Sequence, residues 1–154
     1  MGYNAIDLIN KAINITNRKR TIYESLEQRK CNIPAVKIMS KALIKEIDRT
    51  IQYYEELKNE VEPEEIDFYI YDKMSFLIDE FNKKIIVTEI NNIKDYLKFS
   101  LDLEKRGKSV LIDVQGRFVR NKSDINTKTY KILSDMINNK EKLITTLEKI
   151  MEIE

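Results

Sequence analysis

The sequence predicts an all-α protein, built as an up-and-down antiparallel four-helix bundle with an additional N-terminal helix. Three Gly and two Pro among 154 residues leave little material for the turns of a many-stranded sheet. Apolar residues recur three and four positions apart over stretches of roughly 25 residues, which is the period of an amphipathic helix. Helices of this kind joined by short loops favour an antiparallel bundle. The chain, residues 1–154, is predicted to form one domain.

The first two helices are predicted over residues 4–29 and from Pro34 to about Val61. Ile33 separates them, because a residue before proline is pushed out of the α region while Pro34 itself is well placed to start a helix. We use the word seam for the line of side chains, spaced alternately three and four residues apart, that should face the core. The seam of the second helix is Met39, Leu43, Glu46, Thr50, Tyr53 and Leu57. One member of this seam, Glu46, is a carboxylate.

Three more helices are predicted, over about 63–85, 89–118 and 126–151. Residues 83–90 contain runs of β-branched side chains, and they fit either the end of the third helix or a connection across the bundle. Between the last two helices, Asn121–Asp124 forms a polar turn with a suitable helix cap.

The stretch GKSVLIDVQG, residues 107–116, looks like the end of a phosphate-binding loop followed by a strand. Such a loop needs a glycine five positions before the Gly-Lys-Ser and a strand in front of it. Asp102 stands at that position, and the preceding LKFSLDLEKR favours a helix. We therefore predict a continuous helix and no nucleotide. Gly107 and Gly116 then indicate either the close approach of a neighbouring helix or a local kink.

The charge balance argues against a nucleic-acid-binding or membrane protein. Lys and Arg number 27 against 26 Asp and Glu, and His is absent, so the net charge is only +1. The basic run Asn17–Arg20 could contact phosphate, but we interpret it as a solvated helix face. No apolar run approaches the length of a membrane span. The single Cys31 excludes an intrachain disulfide, which fits a cytoplasmic protein.

Four segments look like two copies of a helix pair. KALIKEIDRTIQYYEELKN and YLKFSLDLEKRGKSVLIDV each place a Glu on an apolar seam, while YIYDKMSFLIDEFNKKI and INNKEKLITTLEKIMEI look like the second helix of such a pair. This arrangement resembles the ferritin-like, rubrerythrin-type bundle, in which each pair contributes a Glu and a Glu-x-x-His to a central di-metal site. The resemblance covers about residues 35–153.

The resemblance implies a degenerate metal site. Glu46 and Glu104 match the first-helix Glu positions. The two Glu-x-x-His positions fall on Asp72-x-x-Ser75 and Asn139-x-x-Lys142. Both imidazoles are therefore missing, and a protonated Lys cannot ligate a metal.

Two alternatives follow from this mapping. Glu46, Asp72 and Glu104 could still hold a divalent ion, as residual carboxylates of a metal site. Alternatively, Lys142 or another cation replaces the metal and forms a core ion pair with Glu104 and Glu46, or the two glutamates simply reach the rim of the bundle. The metal site and the core ion pair share the expectation that Glu46 and Glu104 converge in the interior.

We predict a non-catalytic cytoplasmic bundle with a lost ferritin-like metal centre and no cofactor. It would act by binding a protein partner or by self-association into a homo-oligomer. The alternative is a ferritin-like oxidoreductase or metal-storage protein that binds di-iron or manganese through the residual carboxylates. Nucleic-acid binding through Arg18–Arg20 and the basic residues near Lys105, Arg106 and Arg117 is a weaker third interpretation, and it would show a steep dependence on salt.

Overall fold

The computed structural model describes residues 4–60 and 65–153, and over these the chain is helical without a strand. The elements are α1 (Ala5–Arg29), α2 (Pro34–Glu60), α3 (Phe68–Lys83), α4 (Ile93–Phe118), a 3-10 helix (Lys122–Asn126) and α5 (Lys128–Ile153). The only β pairing among the described residues is an isolated bridge between Asn4 and Glu65. The predicted all-α class is confirmed.

Side-chain caps explain where the helices start. Asn4 and Asp7 form a capping box at the start of α1, each accepting from the other's backbone N–H. Asn92 accepts from the backbone N–H of Asp95 at 2.9 Å. Because this cap fixes the first turn, α4 begins at Ile93 and not near Glu89.

The segment between α2 and α4 differs from the prediction in two places. The third helix was expected from Pro63, which lies outside the described residues, but residues 65–67 are not helical and α3 begins only at Phe68. Asp67 caps it by accepting from the backbone N–H of Tyr69. Because α3 ends at Lys83, residues 84–92 form a connection, which decides between the two alternatives for 83–90.

The helices pair as two hairpins, α1 with α2 and α4 with α5, while α3 packs mainly against α4. Ion pairs from Arg20 to Asp48 at 2.7 Å and from Lys41 to Glu27 at 3.9 Å run across the first hairpin and show that it is antiparallel. The predicted N-terminal helix is present, and it is one member of a hairpin with α2. A connection of only four residues, 30–33, places α1 directly on α2.

The core consists of two clusters of buried side chains along the length of the helices. One contains Ile9, Ile13, Val114 and Met136, and the other contains Tyr23, Tyr96, Leu103 and Leu147, with further members in each. In the second cluster the ring of Tyr23 meets those of Tyr96 and Phe99 edge to face. Along α1, α4 and α5, a short interval of sequence separates the buried residues of one cluster from those of the other. Each interval contains a charged residue that points to the others, namely Lys19, Glu104 and Lys140.

No helix in the described part of the chain combines the length and the apolar character that a membrane crossing requires.

Candidate functional site

A cluster of three charges, two of them buried and one half-buried, lies between the two halves of the core. Glu104 on α4 is only 2% exposed. Lys140 on α5 donates from Nζ to its Oε2 at 3.0 Å, and the ammonium of Lys19 on α1 forms an ion pair with its Oε1. Two cations therefore share one carboxylate. We call Lys19, Glu104 and Lys140 the charge cluster.

Each member of the charge cluster occupies a seam position of its helix. Lys19 follows Ile15 by four residues and precedes Ile22 by three. Lys140 is placed in the same way between Met136 and Leu143. Sequence reasoning identified Glu104 but missed the two lysines. The available signal was a charged residue interrupting an otherwise apolar seam.

Gly107 makes room for one of the ammonium groups. A Cβ atom at this position would lie 3.1 Å from Lys140 Nζ and 3.2 Å from its Cε, whereas a Cβ at Gly116 would meet nothing within 4 Å. Both glycines lie inside α4, so residues 107–116 form neither a phosphate-binding loop nor a strand. Of the two glycines, only Gly107 marks the close approach of a neighbouring helix.

The three charges shift one another's pKa values. Desolvation alone would raise the pKa of Glu104, but the ammonium groups of Lys140 and Lys19 outweigh it and lower this pKa to about 2. Burial lowers the pKa of Lys19 to about 8, although the Glu104 carboxylate opposes the shift. For Lys140, desolvation is outweighed by the attraction of Glu104, and its pKa is raised. The carboxylate is thus held in its charged form.

Two phenols near the charge cluster add no further charge to it at neutral pH. Burial, together with the Glu104 carboxylate, raises the pKa of Tyr23 well above its ordinary value. Burial also raises the pKa of Tyr54, against a smaller opposing effect of Lys140. Both side chains therefore stay neutral, and the cluster carries one positive charge in excess when both lysines are protonated.

An open groove of about 850 Å³ leads from the surface to the charge cluster. Its walls are α2 and α5, which scarcely touch each other. Thr16 and Lys19 of α1 and Glu104 of α4 are the only lining residues from those two helices, so they form the floor. We call this opening the groove.

The walls of the groove mix apolar and polar side chains. The apolar ones are Met39, Ala42, Leu43, Ile47, Leu143, Leu147 and Ile150. The charged and amide ones are Glu46, Arg49, Asp135, Asn138, Asn139 and Lys142, with Lys140 reaching the floor. Most of the α2 seam that was predicted to face a packed neighbour lines the groove, although Leu43 within it is buried in the core.

The structure does not bring the predicted metal ligands together. Asp72 is exposed on α3, which is not among the helices lining the groove. The Glu46 side chain is 48% exposed and accepts from Arg49 at 3.2 Å. Among the described residues no group of three His, Cys, Asp or Glu side chains is placed to hold a metal ion. The prediction of a site built from Glu46, Asp72 and Glu104 is wrong, because it paired α2 with α3 rather than with α1.

The predicted core ion pair has the right anion and the wrong partners. Lys142 is exposed on the rim of the groove and is not bonded to Glu104. Two residues along a helix correspond to a rotation of about 200°, so Lys142 cannot share the inward direction of Lys140. The cluster also does not suit a divalent ion, because two ammonium groups already neutralise its only carboxylate and would repel another cation.

The basic run Asn17–Arg20 is the solvated face that the sequence indicated only in part, because Asn17 and Arg18 are exposed while Arg20 is half-buried. Lys19 is buried. Arg18 donates to the side-chain oxygen of Asn82 at 2.7 Å and to the backbone oxygen of Ile85 at 3.2 Å. Arg20 pairs with Asp48. The run therefore ties α1 to α2, α4 and the end of α3.

Comparison of the chain with models of protein families, with curated proteins and with solved structures finds no match. The groove and the charge cluster are thus the features from which a function is inferred.

Proposed function

We propose that this chain is a non-catalytic helical bundle of ferritin-like topology whose groove binds a helix of a protein. Two antiparallel hairpins joined by one long crossover, here carrying α3, are what that topology requires. On this proposal α1 and α4 are the two first helices, and the charge cluster stands at the centre where the metal would be.

The observation that carries the proposal is a groove with apolar side chains along both of its walls. Met39, Leu43 and Ile47 follow one another at helical spacing along α2 and line the groove. On the opposite wall Leu143, Leu147 and Ile150 do the same along α5. An apolar, helix-lined groove is a recurrent site for an amphipathic helix, which inserts side chains spaced i, i+3, i+4 and i+7. A docked helix would cover the half-buried Met39, Leu143 and Ile150, whereas Leu43, Ile47 and Leu147 beside them are already buried in the core.

The charge cluster adds a preference for the central residue of that helix. Lys19 and Lys140 share a single carboxylate at the floor of the groove. An acidic side chain entering from the bound helix would give the second ammonium its own partner, whereas a cationic one would meet repulsion. We expect the bound helix to carry Glu or Asp near the middle of its apolar face.

The test uses three synthetic amphipathic helices that share an apolar face and differ only at its centre, with Glu, Gln or Lys. Methyl NMR reports where each peptide binds. The Glu peptide should shift the methyl signals of Met39, Leu143 and Ile150, and leave Ile112, an exposed apolar residue of α4 outside the groove, unchanged. Affinity should fall from Glu to Gln to Lys.

A matched pair of variants controls for charge. Ala42→Glu places a carboxylate on the α2 wall and should weaken binding of the Glu peptide at least about tenfold. Gln52→Glu adds the same charge to the same helix at an exposed position outside the groove, and it should have little effect. Binding that Ala42→Glu leaves intact, or no binding by any peptide up to about 1 mM, would contradict the proposal.

A further inference from the structure

The outward face of α3 is an aromatic surface with a carboxylate at its centre. Tyr69 is 76% exposed and Phe76 is 61% exposed, seven residues apart and therefore on one face of the helix. Asp72 lies between them, is exposed, and forms no ion pair with a described residue. The inward stripe of α3, which includes Met74 and Ile78, packs in the core. We call Tyr69, Asp72 and Phe76 the α3 face.

Two large aromatic side chains, each more than half exposed on one face of a helix, favour a contact surface, because exposed apolar groups rimmed by polar ones often mark protein–protein interaction sites. The α3 face has the composition that the groove selects: apolar side chains at helical spacing around one central acid. Nothing within the chain itself can bring the two together, since α3 packs on α4 while the groove opens between α2 and α5.

The charges of the groove match those of the α3 face. The charged side chains that line the groove are four cations, Lys19, Arg49, Lys140 and Lys142, and three carboxylates, Glu46, Glu104 and Asp135. One positive charge is therefore in excess, and Lys142 lies on the rim. Among the described residues Lys142 has no ion-pair partner. A single carboxylate is the complement of this arrangement.

We infer that the groove of one copy of this chain binds the α3 face of a second copy, with Tyr69 and Phe76 against the apolar walls and Asp72 directed to Lys140. This inference rests on the proposed function and names its partner. Because the two surfaces lie on different parts of the chain, the contact is heterologous. Successive copies therefore join head to tail, into a ring or an open filament.

The experiment measures self-association of the full chain by sedimentation velocity over a range of concentrations. The wild type should sediment as species larger than a monomer as concentration rises. Phe76→Lys on the α3 face and Ala42→Glu in the groove should each weaken association at least about tenfold. Ile112→Lys, the same kind of change at an exposed apolar position of α4, should leave it unchanged.

Mixing the two weakened variants decides whether the contact is head to tail. Phe76→Lys keeps an intact groove and Ala42→Glu keeps an intact α3 face, so together they should form a complex of two chains that does not grow further. Two variants that each stay monomeric and also fail to combine would overturn the inference, because they would indicate a contact in which both copies use the same surface.

Asp72→Asn tests the charge contact separately. It should weaken association about tenfold or more, while Asp113→Asn, at an exposed carboxylate of α4, should not. An equal effect of the two changes would contradict the assigned role of Asp72.

A wild-type chain that stays monomeric at every concentration would overturn the inference but leave the proposed function intact if the Glu peptide still shifts the groove signals. If no peptide binds but the chain self-associates and both Phe76→Lys and Ala42→Glu weaken that association, the proposed function is overturned while the contact between copies stands.

Discussion

Helix α5 packs closely against α4 on one side and stands apart from α2 on the other. At the α4 contact, Gly107 allows Lys140 to approach, and Leu111 and Val114 are buried beside it. At the α2 side, the facing residues include Arg49, Asn138 and other charged or amide groups. Closing that side would strip water from these groups without giving each a partner. An amphipathic seam therefore predicts which face of a helix is apolar, and the polar residues beside it decide whether that face is closed within the chain.

The two seam glutamates show the same contrast at the level of single residues. We call the packed interface of α5 with α4 the closed region and the groove between α5 and α2 the open region. Glu104 lies in the closed region and forms ion pairs with two lysines, whereas Glu46 lies on the α2 wall of the open region and pairs with Arg49 of its own helix. Removing the carboxylate of a buried cluster leaves uncompensated charge in the interior, and this costs far more than removing one partner of a surface pair at i,i+3.

The largest expected effect comes from removing the charge of each glutamate in turn. Glu104→Gln should lower the free energy of unfolding by about 3 kcal/mol or more, because it leaves two ammonium groups buried without an anion. Glu46→Gln should change it by less than about 0.5 kcal/mol. Urea unfolding followed by circular dichroism measures both. Similar changes in the free energy of unfolding for the two variants would contradict the different roles assigned to the two glutamates.

The free energy of unfolding at acid pH should depend on the protonation of Glu104. Its pKa in the folded state is lowered from 4.5 to about 2, so the stability it contributes is complete above the ordinary value. That stability is lost as the pH falls from about 4.5 toward 2, and it amounts to on the order of 3 kcal/mol. Unfolding free energies measured across this window should fall more steeply for the wild type than for Glu104→Gln. Parallel curves would show that Glu104 is not held in its charged form.

Replacing each of the two glycines of α4 by alanine should change the stability by a smaller amount, and the two changes should have opposite signs. Gly107→Ala should destabilise the protein, because the new methyl group would push the Lys140 ammonium away from the place where it binds Glu104. Gly116→Ala should stabilise it by about 1 kcal/mol, since alanine favours the helix and meets no neighbouring atom. Thermal unfolding of the two variants provides the measurement. Stabilisation by both would mean that Lys140 moves aside freely.

The sequence predicts the helices well because their apolar periodicity and caps are local properties. Helix starts at Ala5 and Pro34 follow directly from Asn4 and from the proline itself. The pairing of helices is a different matter, because it depends on contacts between residues far apart in the chain. The resemblance placed α2 with α3, although the short connection before Pro34 favoured α1 with α2.

The candidate site could be predicted only in part for the same reason. Glu104 was recognisable as a carboxylate on a seam, and Lys19 and Lys140 interrupt seams in the same way. Apolar periodicity does not show which helices face one another. It therefore cannot predict which lysines reach which glutamate. The groove was also beyond prediction, because a seam looks the same whether a neighbouring helix covers it or not.

A double-mutant cycle tests most directly whether the closed region is built around Glu104. The cycle combines Glu104→Gln with Lys140→Met, and a matched cycle combines Glu46→Gln with Lys142→Met, all measured by urea unfolding. The account predicts a coupling energy on the order of 2 kcal/mol in the first cycle and none beyond about 0.5 kcal/mol in the second. Negligible coupling between Glu104 and Lys140, or a larger coupling between Glu46 and Lys142, would contradict it.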